Sequence, residues 1–217
     1  MRARALAPIA ALAAASGWCV LLLVVRKHAF GAAEYGGLVW NLFLAWIPFA
    51  LAVALLAAYR RGSRGLRAYA LGALWLLFLP NAPYMLTDFV HLGEQHRLFD
   101  TVIIGSFALT SLALGFGSLL LVQLVATRAA GAAVGWLVVL CSIFLSSVGI
   151  YLGRVWRLNS WDVVERPRLV GSLLRAGLDN PLSHHYPIAF VLAFCGLLTL
   201  VYVGLYGFAA IAATARR

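Results

Sequence analysis

The chain has 217 residues, 64% of them hydrophobic and only 11% charged, where a soluble domain carries roughly 45–50% apolar and about 25% charged residues. So few charges cannot cover a water-facing surface, and apolar runs near the roughly 18 residues that cross a hydrocarbon core recur along the whole length, which excludes a separate globular domain. The formal net charge of +10 does not point to nucleic acid, because the basic residues sit at the ends of apolar runs, as membrane anchors do, and no basic patch is interleaved with exposed aromatics.

The pattern predicts an all-α membrane protein, a single transmembrane domain of about six helices spanning 5–25, 36–58, 68–87, 98–125, 129–152 and 186–214. The first run, after MRAR, has the basic start of a secretory signal peptide. It continues past its small residues to Val25, long enough to be a retained span. Asn41 is a polar residue in the apolar second run, placed to hydrogen-bond across helices.

The third run is the irregular one. Its unbroken apolar part, Ala68 to Leu79, has 12 residues, which at about 1.5 Å each is short of the roughly 30 Å core. The sequence PNAPYMLTD follows. Pro80 and Pro83 remove backbone donors and clash with preceding carbonyls, so the helix is expected to break near Pro80 to Pro83, in a segment that is buried in protein or lines a wet cavity. The alternative is a short helix ending at the interface.

Ser111, Gly115 and Ser118 form a small-residue stripe on the fourth run. Ser142, Ser146, Gly149 and Gly153 form another on the fifth, which Arg157 is expected to extend at its outer end. Both read as packing seams. Cys19, Cys141 and Cys195 all lie inside apolar stretches and read as small buried hydrophobes rather than a disulfide framework. After the fifth run the chain is too polar to span. Pro167 is suited to open a short helix near 167–177, with Leu169, Val170, Leu173, Leu174 and Leu178 on a side opposite Arg168 and Arg175, lying in the interface with Trp156 and Trp161 at headgroup level.

Sorting charges by loop gives an orientation. Arg2, Arg4, Arg60, Arg61, Arg64, Arg67, Arg128, Arg216 and Arg217 share one side with no acid, while every acid and histidine falls on the other. Lys and Arg mark the inside, so the expectation is a bacterial cytoplasmic (inner) membrane protein with both termini cytoplasmic and its chemistry-capable residues facing outward.

Two outward segments stand out, LPNAPYMLTDFVHL at 79–92 and YLGRVWRLNSWD at 151–162. They resemble the paired signature segments of the bacterial membrane-protein family called domain of unknown function 1361. The matching residues are Pro80, Asn81, Pro83, Tyr84, Thr87, Asp88 and His91, then Gly153, Arg154, Arg157, Asn159, Ser160, Trp161 and Asp162. The resemblance implies a multi-spanning architecture and a shared polar site, and it supplies no activity.

The residues allow several chemistries at such a site. Asp88, His91 and Asp162 are the candidates for acid or base work. Asn81, Tyr84, Thr87, Arg154, Arg157, Asn159, Ser160 and Trp161 are candidates for ligand binding, with the two arginines able to present guanidinium forks to an anion such as a lipid phosphate or carboxylate. A divalent metal would draw on Asp88, His91, His184 or His185, although no HExxH or CxxC spacing is present. The bland alternatives are a hydrogen-bonded structural network and arginines that snorkel or pair with acids.

Three functions follow as expectations. The first is a protein that binds or processes a lipid or other anionic ligand at the outer interface. The second is a transporter using a discontinuous helix, which the lack of ionisable residues at the midplane disfavours. The third is a structural or assembly subunit with a membrane partner or oligomeric contacts.

Overall fold

The computed structural model describes residues 2–31, 35–63, 65–179 and 185–214. Every regular element among them is helical, and six helices are long and apolar enough to cross a membrane. The chain is an all-α multi-pass membrane protein. It divides into two compact units, Met1–Leu121 and Val122–Arg217.

The first unit contains α1 (Arg2–Phe30), α2 (Gly36–Arg60), α3 (Leu66–Phe78), the one-turn α4 (Asn81–Tyr84), a 3-10 segment (Met85–His91) and most of α5 (Arg97–Ala130). Its core collects Cys19 and Leu22 of α1, Leu38, Leu42, Ala45 and Phe49 of α2, Ala82 and Met85 of the third span, and Ile103, Ile104, Phe107 and Leu114 of α5. Because these helices lie in hydrocarbon, where apolar burial between helices gains little, polar and close-packed contacts set their partners. The Trp46 indole N–H donates to the Ser16 hydroxyl at 3.1 Å, joining α2 to α1. Trp75 donates to Ser118 at 3.0 Å, joining α3 to α5.

The third span runs from Leu66 to His91, 26 residues, so the helical path continues through both prolines. Regular α-helix stops at Phe78 and returns for one turn at Asn81, and a 3-10 segment follows from Met85. The interruption lies in the hydrogen bonding. Leu79, Pro80, Tyr84 and Met85 all keep right-handed helical dihedrals.

The second unit contains the end of α5, α6 (Ala132–Trp156), the one-turn α7 (Asp162–Glu165), α8 (Pro167–Asp179) and α9 (His185–Thr214). α6 and α9 pack antiparallel: Tyr151 faces Phe190 with ring centroids 5.8 Å apart, and Trp136 faces Tyr206 at 5.0 Å. The buried Tyr202 hydroxyl donates to the Gln123 side-chain carbonyl at 2.6 Å, tying α9 to the end of α5. α8 starts at Pro167, where a missing N–H costs a helix nothing.

α5 does not end at the loop expected around residues 126–128. It runs on to Ala130, so Arg128 sits in its last turn, and a single residue, Gly131, separates it from α6. Gly131 has φ 94° and ψ 166°, a region open essentially to glycine alone. A few residues on, a Cβ at Gly135 would collide with the Thr127 side chain, so glycine is also what lets the two helices leave the turn in contact. G131A is expected to cost about 1–3 kcal/mol, read as a lower unfolding midpoint in detergent, with no loss for alanine at the open Gly204.

Candidate functional site

Pro80 and Pro83 lack the N–H groups that a regular helix would aim at the Leu76 and Leu79 carbonyls, and the hydrogen bonding around them departs from the α pattern. In a regular helix the Phe78 carbonyl would receive the Ala82 N–H. That N–H goes instead to Leu79 at 3.1 Å, and the Asn81 amide donates to Phe78 at 2.9 Å. The Ser111 hydroxyl of α5 donates to the Ala82 carbonyl at 2.7 Å, and Thr87 donates to the Tyr84 carbonyl at 2.7 Å. An unsatisfied group in hydrocarbon costs several kcal/mol, and these side-chain donors bond to the irregular backbone on both sides of the prolines. Gly115 permits the approach: a Cβ there would lie 2.8 Å from the Ala82 Cβ. The stripe of Ser111, Gly115 and Ser118 is thus a packing seam for the third span.

At the far end of that span Asp88 is 5% exposed, and the Asn41 amide donates to its carboxylate at 3.3 Å. This is the bond from the second span to the irregular third span that the position of Asn41 predicts. His91 lies one 3-10 turn beyond Asp88 and is exposed. Tyr84 and Thr87 are half-buried on the same segment. Among the described residues no group of three His, Cys, Asp or Glu side chains comes together as a metal site would require. His184 lies outside the described residues, and His185 is exposed at the start of α9.

The second segment is built by the end of α6. Arg154 is half-buried in the last turn, and Trp156 is exposed. Arg157 does not extend the Ser142 and Ser146 face as expected from helical spacing. It takes left-handed dihedrals, φ 54° and ψ 34°, and ends the helix, with its N–H returning to Leu152. The turn rotates its side chain off the α6 register. The chain then closes a tight turn: the Asp162 carboxylate accepts the Asn159 N–H at 2.6 Å while the Asp162 N–H donates to the Asn159 backbone carbonyl at 3.0 Å. Asp162 is 6% exposed and also faces the Arg166 guanidinium at 3.6 Å. Its carboxylate therefore holds the turn that displays Asn159, Ser160 and Trp161. Arg157 itself is exposed and has no ion-pair partner among the described residues.

A further charged cluster escapes the sequence reading. Arg26, near the end of α1, makes a two-pronged pair with Asp100 of α5, Nε to Oδ1 at 3.0 Å and Nη2 to Oδ2 at 3.2 Å. The Tyr35 hydroxyl donates to the same carboxylate at 3.0 Å, and the guanidinium carbon lies 5.7 Å from the Tyr35 ring centre. Burial first, and then the bond to Asp100, hold the Tyr35 phenol above its usual range, so it stays a donor well past neutral pH. Beside it His96, at φ 57°, stacks on Phe30 with centroids 4.2 Å apart. One signal was available: Asp100 stands inside an apolar run, and an acid there calls for a partner.

The family model for a protein of unknown function, DUF1361, matches residues 40–201. The chain belongs to this family. Both polar segments, 79–92 and 151–162, fall inside the matched region, as does Asp100, whereas Arg26 and Tyr35 precede it. No curated protein and no solved structure matches the chain. DUF1361 membership thus agrees with the resemblance carried by the two segments and leaves function to the geometry.

Proposed function

We propose that this DUF1361 protein binds an anionic ligand, the phosphate of a lipid or lipid-linked molecule, at the extracytoplasmic end of α6, in a bacterial cytoplasmic membrane with the arginine-only loops inside. The observation that carries the reading is Arg157. A non-glycine residue in the left-handed region costs roughly 1–2 kcal/mol, and such outliers cluster at ligand-binding positions. Here the outlier carries an exposed guanidinium with no ion pair among the described residues. Asp162, which could have neutralised it, is engaged by Asn159 and Arg166. Arg154, Asn159, Ser160 and Trp161 supply further donors and an aromatic edge within the same short stretch.

The transporter reading draws less support. The irregular third span, which would have to offer backbone groups to a substrate, has carbonyls already taken by Asn81, Ser111 and Thr87.

Native mass spectrometry of the purified protein with added phosphatidylglycerol or phosphatidylcholine tests the proposal. The parent chain is expected to retain phosphatidylglycerol preferentially. R157Q and R157G, the second of which relaxes the backbone, should both lose that preference by about tenfold, equivalent to roughly 1.4 kcal/mol. Equal retention of the two lipids by the parent, or an unchanged preference in both variants, overturns it.

A further inference from the structure

We infer that α8 lies flat in the headgroup layer of the membrane surface from which α6 emerges, with its arginine face reading anionic headgroups. The inference stands apart from the ligand reading of Arg157, since an interfacial helix needs no ligand at that residue.

Three observations carry it. The first is tethering. α8 follows the end of α6 through the turn at Asn159–Asp162 and α7, with the single residue Arg166 between α7 and α8. At its other end Asp179 is six residues from His185, the first residue of α9, a separation of about 20 Å at most at ~3.3–3.6 Å per residue. A 13-residue helix, about 20 Å long at 1.5 Å per residue, joined to a span at each end stays close to the surface. The second is amphipathy. At 100° per residue Arg168, Ser172 and Arg175 share one arc, and Leu169, Val170 and Leu173 lie on the other. Val170 is buried, but Leu169 is 41% exposed, so the protein covers the apolar arc only in part. The third is charge. Arg168 and Arg175 are both exposed on the polar arc, and Trp156 and Trp161, whose rings suit the headgroup level, lie on the chain that leads into the helix. A polar face rich in arginine over an apolar face is how such helices bind anionic surfaces.

Spin labels at Ser172→Cys and Leu173→Cys, with Cys141 and Cys195 replaced by alanine and the fully buried Cys19 kept, would be read in nanodiscs for accessibility to oxygen and to a water-soluble nickel complex. In discs of phosphatidylcholine with phosphatidylglycerol, the label at 173 should favour oxygen and that at 172 nickel. The oxygen preference at 173 should fall at least twofold in pure phosphatidylcholine, and likewise on adding R168Q/R175Q in the mixed discs, while R157Q leaves it unchanged. Equal accessibility at 172 and 173 overturns the surface position. A preference independent of lipid charge overturns the anionic selection. Shielding of residue 173 from both reagents overturns the inference in favour of a protein contact.

Discussion

R26Q is expected to destabilise the protein by about 3–5 kcal/mol, the usual consequence of removing one partner from a buried ion pair. Asp100 is 1% exposed and would keep a single donor, Tyr35. The cost is that of a stranded carboxylate, not the net worth of the pair. The double variant R26Q/D100N should therefore recover most of the loss, because two neutral amides can bond to each other without a charge. Y35F removes one hydrogen bond to a charged group and should cost about 1.5–3 kcal/mol. Unfolding midpoints in detergent distinguish these cases. An R26Q protein as stable as the parent, or a double variant no better than R26Q, would show that the pair does not clamp α1 to α5.

The second large effect belongs to the contact between α5 and the proline segment. Alanine at Gly115 would bring two methyl groups to 2.8 Å, and neither has a flexible end that can swing away. The helices must part, which stretches the Ser111 bond to Ala82. Overpacking of this kind typically costs about 1–3 kcal/mol. A82G removes the opposing methyl, so G115A/A82G should be more stable than the sum of the single changes predicts, by at least 0.5 kcal/mol on the scale of contacting pairs. Strict additivity in this cycle would falsify the close approach.

Much of the architecture was legible along the chain. Hydropathy places six spans, the proline pair marks the third as irregular, Pro167 opens α8, and Asn41 does reach the third span. The boundaries were less legible. A helix can run past the hydrocarbon as long as its residues tolerate the conformation, and α5 continues to Ala130, where Gly131 supplies the backbone conformation of the turn. The state of the third span was also out of reach. Prolines announce which backbone donors are missing but not which side chains pack against the irregular segment, and Ser111 lies 29 residues from the Ala82 carbonyl to which it donates.

The two polar segments divide in the same way. Their residue types were readable, but their local conformations were not: Asp162 closes a local turn, and Arg157, read as the continuation of a helical face, ends the helix in a left-handed conformation. A one-residue change in backbone region redirects a side chain, and nothing in the spacing of Arg154 and Arg157 reports it.

Composition and periodicity determined by themselves that this chain is a helical membrane protein, since transfer into lipid sums over consecutive residues and needs no knowledge of neighbours. Which polar groups meet was decided by tertiary structure alone. Arg26 finds Asp100 across 74 positions and Asn41 finds Asp88 across 47. In hydrocarbon a polar group is stable only against a complementary partner, and only the packed helices determine which one lies within reach.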